Sequence, residues 1–467
     1  MSAAILRQIK TTASAEARMS AFSRQVNAMR KPELLSPAGS LKAMRLAFAY
    51  GADAVYAGQP RYSLRVRNNE FDLAALETGI NEAHALGKKL YVVVNIAPHN
   101  SKLTSFVSDM APVVALKPDA LIVSDPGVIY LLRQHFPKMP LHLSVQANTV
   151  NWAAVKFWQS LGIERVILSR ELSVEEIGEI RHQVPDMELE VFVHGALCMA
   201  YSGRCLLSGY INKRDPNQGA CTNSCRWPYQ VHAAREDEVG QFTPVSTPAL
   251  LEEPGRPGEL MAIDEDLHGT YILNSKDLRA IEHVPALTAM GVHSLKIEGR
   301  TKSPYYVART AQVYRRAIDD AAEGRAFNPQ LLSELDGMAN RGFTEGFLRR
   351  HKPQDLQNYD TSHSVGEQLL VGEFIAEQDA DGFALLDVKN QFAVGDELIL
   401  MTPQGNHAFV LQALHDKQGQ ALLLAPGACY QLKVKLPNRY DVRFAMLLKQ
   451  LPHSVKTALQ PLAVQVS

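Results

Sequence analysis

Eight short apolar runs separated by amphipathic stretches constrain this chain more than any other feature. They fall at residues 33–39, 54–58, 90–95, 120–124, 141–146, 165–169, 189–194 and 294–298. Such runs predict strands buried on both faces, and their alternation with helical patterns predicts a parallel sheet. Eight units of this kind fit an α/β fold closed into a (β/α)8, TIM-like barrel better than an open sheet, with a doubly wound sheet as the structural alternative. Barrels of this kind collect their chemistry at the carboxyl ends of the strands. Here those ends offer Ser36, Gly58, Asn95, Ser124, Gln146, Ser169, Arg170, Glu171, His194 and Glu298.

The rest of the chain is organised around that barrel. Residues 1–31 form a basic extension with Glu16 as its only acid, and Met29 stands near its end as an alternative start. It is read as a dispensable extension rather than an organelle transit peptide. Residues 32–353 hold the barrel, with an insertion at about 195–265 after the seventh run. Within it, residues 235–259 are rich in Pro, Glu and Asp, lack periodicity and predict a mobile loop. From 360 to 450, short alternating runs punctuated by Asp381-Gly382, Gly395-Asp396 and Pro426-Gly427 predict a small antiparallel β barrel or sandwich, followed by a tail at 451–467. The formal net charge is -1, so contacts with polyanions depend on local basic patches. No apolar run has the length of a membrane helix and no export signal is visible, which predicts a cytoplasmic protein without membrane contact.

The insertion carries the most specific chemistry. Cys198, Cys205, Cys221 and Cys225 follow a C-x6-C-x15-C-x3-C spacing, and Cys429 lies far away. Arg204, Lys213, Arg214 and Arg226 surround them with positive charge, which favours thiolates and compensates an anionic cluster. An iron-sulfur cluster, structural zinc and inert buried thiols are the competing readings. A disulfide fits poorly with an intracellular chain.

Other candidates lie on the rim. Arg61, Arg65 and Arg67 form a basic loop after the second run, and residues 349–352 add another patch; each suits phosphates or a dicarboxylate, or is a solvated surface. Lys296 and Glu298 stand two residues apart at the end of the eighth run, as a cation and general base in one pocket or as a structural ion pair. His194 is a proton carrier or a space-filling residue beneath the cluster. G-x-S-x-G, H-E-x-x-H and Gly-rich phosphate loops are absent.

The stretches 192–198 and 203–208 resemble the signature of the collagenase-like peptidase family U32, and residues 32–39, 56–67, 212–217, 274–279 and 294–300 are similar to a tRNA-hydroxylating branch of it. The resemblance implies a barrel with an iron-sulfur cluster, most readily [4Fe-4S], on Cys198, Cys205, Cys221 and Cys225. It also implies prephenate-dependent hydroxylation of the wobble uridine of tRNA to 5-hydroxyuridine, the first step toward methoxy and carboxymethoxy derivatives. Relatives that draw a ligand from the region after the Ser-Lys-Asp motif differ from this chain, which has Arg279 there. On this reading the anticodon loop delivers a flipped base to the mouth. Glu298, Lys296 and His194 manage protons. Arg65, Arg67, Asn95, Arg170, Lys213, Arg226 and Arg300 bind tRNA or the prephenate-derived cosubstrate. An iron-sulfur assembly or electron-transfer protein is an expected partner. A metal-dependent peptidase and a noncatalytic iron-sulfur scaffold are the alternatives.

Overall fold

The computed structural model describes residues 31–59, 61–64, 70–198, 200–205, 208, 214–221, 275–349 and 367–451, and the backbone of short strands between 233 and 271. Eight parallel strands close into a barrel: β1 (Glu33–Pro37), β2 (Ala54–Gly58), β3 (Lys89–Val94), β4 (Ala120–Val123), β5 (Leu141–Leu143), β6 (Arg165–Ile167), β7 (Glu188–Ala196) and β8 (Ser294–Ile297). Closure is made by β8, which pairs in parallel with both β1 and β7. The strands are buried nearly throughout, as a parallel sheet covered on both sides demands.

Among the described helices, eight accompany the strands in turn: α1 (Leu41–Ala49), α2 (Leu73–Ala85), α3 (Phe106–Ala115), α4 (Pro126–His135), α5 (Trp152–Ser160), α6 (Val174–Gln183), α7 (Val284–Ala289) and α8 (Pro304–Ala322). Most begin where the sequence supplies a side chain for the open amide ends. Ser40, Asp72, Asp125, Asn151 and Ser303 each accept from a first-turn amide, and Ser173 with Glu176 forms a full capping box. No helix among the described residues is long and apolar enough to cross a membrane.

The region expected as a loop contains short antiparallel ladders instead. Ala233–Glu236 pairs with Phe242–Val245, Leu250–Glu252 with Leu260–Ala262, and Asp264–Asp266 with Gly269–Tyr271. Ladders of three and four residues are held by backbone hydrogen bonds and are too short to leave a periodicity to read.

Strands from Gln368–Phe374 to Met446–Gln450 form an antiparallel β domain with its own core. It docks against α1 and α8. The Tyr50 hydroxyl, just past α1, donates to the carbonyls of Met401 (3.1 Å) and Phe444 (3.0 Å). On α8, Gln312 donates to Thr402 O at 2.9 Å, and the buried Arg309 reaches Gln368 and Glu334, both at 3.2 Å. Met401, Met446 and Leu448 belong to the barrel's apolar core, so the two units share one packed interior.

Candidate active site

Aliphatic layers usually fill the axis of such a barrel, but here it carries charge. Arg165 of β6 reaches across to Glu33 of β1 at 2.6 Å, and also pairs with Glu188 at 2.7 Å and Glu190 at 3.2 Å. Glu190, fully buried on β7, holds the Lys296 ammonium of β8 at 2.9 Å. That ammonium lies 4.2 Å from the Tyr56 ring centroid and 5.5 Å from that of Phe192. Burial pushes Lys296 below its usual range, and Glu190 partly offsets this. The two together form an ion column that rises from the amino-terminal pole toward the mouth.

At the mouth, Arg170 follows β6 and Glu298 follows β8. Arg170 donates to Ala196 O at 3.0 Å, lies 3.5 Å from the Glu298 carboxylate, and stacks 4.0 Å over the Phe192 ring. Both remain partly exposed. The Glu298 backbone is fixed by a bond from its amide to His194 O (2.9 Å) and by the Tyr306 hydroxyl, which donates to its carbonyl at 2.8 Å. Gly195 makes this approach possible: its φ is +108°, and a Cβ there would stand 2.4 Å from Glu298 O. Lys296 and Glu298 therefore share a side of the barrel at different depths, each with its own ionic partner.

A second polar group gathers across the mouth. Asn95 Nδ2 donates to Ser144 Oγ (3.2 Å) and Gln146 Oε1 (2.9 Å), while Ser124 Oγ donates to Asn95 O (3.0 Å). Asn95 Oδ1 accepts from Leu64 N at 3.1 Å, and Arg300 donates to Leu64 O. Both expected substrate ligands thus clamp the backbone just ahead of Arg65. Arg65, Arg67, Lys213 and Arg226 lie outside the described residues. Arg61 is tied to Asp109 at 2.7 Å.

His194 faces the helix layer and not the mouth. The pairing of β7 with β8 runs from Phe192↔Lys296 directly to His194↔Ile297, so one β7 residue is bulged and the inward-outward alternation shifts. The ring sits among Tyr306, Tyr314 and Phe343, its Nδ1 3.3 Å from the Tyr314 hydroxyl and its Nε2 buried without a hydrogen-bond partner. Burial lowers its pKa from 6.5 to about 3, so it is neutral at physiological pH.

Acid stability should record this. Between about pH 3 and 6.5 the unfolded chain binds a proton that folded His194 refuses, so stability is full above that window and falls as the pH drops through it. Buried His142 is shifted the same way. Each contributes up to ~1.4 kcal/mol per pH unit. His194→Asn should flatten the slope of urea midpoint against pH; an unchanged slope would show that His194 is not buried neutral.

The cysteine segment crosses the same rim. Asn148 Nδ2, beyond β5, donates to Ser202 O at 2.8 Å; Ala97 N, beyond β3, donates to Asn217 O at 3.2 Å; and Asn217 Nδ2 donates to Cys205 O at 3.1 Å. Cys198 is exposed, and Cys205 and Cys221 are partly exposed. Among the described residues no three Cys, His, Asp or Glu side chains converge as a ligand set, and Cys225 lies outside them. Thiolates are the donors that an iron-sulfur group takes, and the described thiols do not by themselves form a coordination sphere.

Glu190, Tyr56 and Phe192 escaped the sequence reading. Their signal was nonetheless present: Glu190 and Lys296 are charges inside otherwise apolar strands, where only pairing makes burial tolerable.

Known proteins align with this architecture. The model of peptidase family U32 matches residues 39–358, and that of the U32 C-terminal domain matches residues 367–449. The chain is 63% identical over 441 residues to tRNA hydroxylation protein P of Escherichia coli (strain K12), covering 90% of this chain and 97% of that one. The tRNA hydroxylation protein P of Haemophilus influenzae is 57% identical over 454 residues, covering 91% and 99%. The 23S rRNA 5-hydroxycytidine C2501 synthase of Escherichia coli is 32% identical over 354 residues, covering 73% of this chain and 48% of that one.

Proposed function

Because this chain belongs to peptidase family U32 and aligns along nearly its whole length with tRNA hydroxylation proteins, we propose that it hydroxylates tRNA. The observation that carries the reading is the 63% identity, which extends over 97% of the Escherichia coli protein. The finer proposal is conversion of the wobble uridine to 5-hydroxyuridine, with prephenate or a derivative as cosubstrate. A relative whose product is 5-hydroxycytidine supports carbon 5 of a pyrimidine as the target.

In this reading a flipped base enters the mouth between the Arg170–Glu298 pair and the Asn95–Ser144–Gln146 group. The amide and hydroxyl groups hold its polar edge, Arg170 meets a carboxylate of the dianionic cosubstrate, and Glu298 is the carboxylate placed to take or give a proton in the mouth. Lys296, one layer deeper, is held by Glu190 and fixes the floor of the pocket. His194, neutral and turned outward, supports the strand that carries Ala196. Arg65, Arg67, Lys213 and Arg226 are proposed to neutralise phosphates, and Asn95 and Arg300 to set the loop that presents the first two. Cys198, Cys205, Cys221 and Cys225 would hold the iron-sulfur cluster, whose chemistry is electron transfer or Lewis acidity at the rim.

Two measurements test this. Mass spectrometry of tRNA from a strain lacking the gene should show loss of the hydroxylated wobble uridine, restored by the wild-type gene. Anaerobically purified protein should absorb broadly near ~400 nm, and C221S or C225S should lose most of that absorbance together with its iron. Unchanged tRNA would remove the functional reading, while a colourless protein with stoichiometric zinc would remove the cluster. Peptide-bond cleavage by the pure protein, lost in E298Q, would favour the peptidase alternative.

A further inference from the structure

One aromatic feature of the carboxyl-end rim has no part in the chemistry above. Helix α5 starts behind β5 with Trp152, which is 43% exposed, and Val150 just ahead of it is 40% exposed. Lys156, one turn further on, sets its ammonium 4.9 Å from the Trp152 ring centroid. Tyr201, in the cysteine segment, is 53% exposed, and Arg204 beside it is exposed as well.

These two segments are joined at the mouth. Besides the Asn148–Ser202 bond, Gly203 packs so closely on the end of β5 that a Cβ would lie 3.1 Å from the Gln146 Cβ. Gln146 in turn accepts from Asn95 inside the mouth. Trp152 and Tyr201 therefore flank the place where β5 opens into the candidate site.

Both aromatic side chains leave about half of their surface open beside the mouth, and such exposed apolar surface marks partner sites. A purely apolar partner would meet a charge-free patch, whereas here a cation lies on the indole and the exposed Arg204 follows three residues after Tyr201, its amide bonded to Tyr201 O. Aromatic faces interleaved with cations match unstacked bases and the phosphates between them. We infer that Trp152 and Tyr201, with Lys156 and Arg204, form a stacking platform for single-stranded RNA nucleotides next to the one that enters the mouth. This rests on the tRNA reading above and names the surface that would hold the loop. Because every base has a π face, the platform supplies affinity and orientation and not base choice.

The test uses full-length protein and an in vitro transcribed tRNA bearing a wobble uridine. Binding should quench tryptophan emission, and W152A should abolish most of that quench and raise Kd at least ~5-fold. W152F, which retains a stacking face, should stay within about twofold of wild type, and K156A should weaken binding less, with a shallower salt dependence. Equal affinity of W152A and wild type, or no tRNA binding by either, would overturn the platform. So would a change from dimer to monomer in W152A on gel filtration, which would assign the face to a second copy of the chain. The functional reading is judged separately, by whether the wild-type gene restores the hydroxylated nucleotide in the deletion strain.

Discussion

Replacing Glu190 by glutamine is expected to destabilise the protein by about 3–5 kcal/mol, the cost of removing one partner from a buried ionic group. Glu190 is completely buried and answers two cations, Lys296 at 2.9 Å and Arg165 at 3.2 Å. Arg165 keeps Glu33 and Glu188, but Lys296 has no other carboxylate at ion-pairing distance among the described residues. Its ammonium would be left against the faces of Tyr56 and Phe192. The double variant E190Q/K296M removes the stranded charge and should recover more than half of the loss. Chemical denaturation of the three proteins measures both values. An E190Q midpoint equal to wild type would mean that the ion column carries no net stability.

The second large effect concerns the mouth. Glu298→Gln should lower the rate of tRNA hydroxylation by roughly 10²- to 10⁴-fold, the usual worth of a positioned general base, while leaving tRNA affinity and thermal stability near wild type. Glu298 is partly exposed and its fixed points are backbone atoms, so the amide fits the same space. R170Q should also be slow, with cosubstrate affinity reduced. The double variant should fall little below the slower single one, since each residue acts through the other. A fully active E298Q would move the base elsewhere on the rim.

Much of the fold could be read from residue order. Strands buried on both faces leave unbroken apolar runs, and helices that begin after βα loops leave Ser, Asp or Asn at their caps; both signals are local. The β domain declared itself through alternation and turn dipeptides. The ladders between residues 233 and 271 left no signal because each is only three or four residues long.

The candidate site was legible in type more than in partnership. Arg170, Glu298, Asn95 and Lys296 stand at or near strand ends, as the sequence suggests, yet their partners come from distant strands. Lys296 is held by a residue 106 positions away, and Arg300 spends a donor on Leu64. His194 shows the limit most clearly. Strict alternation along β7 would turn its ring inward with Glu190 and Phe192, and a single bulge opposite β8 turns it out toward Tyr314.

Sequence by itself determined which segments are barrel strands and which residue types crowd the rim, since these follow from short-range periodicity. Only the tertiary structure decided which charge neutralises which, which way His194 faces, and that the segments carrying Trp152 and Tyr201 are joined beside one opening. Barrel closure and strand register set those distances, and neither is written in the spacing of neighbouring residues.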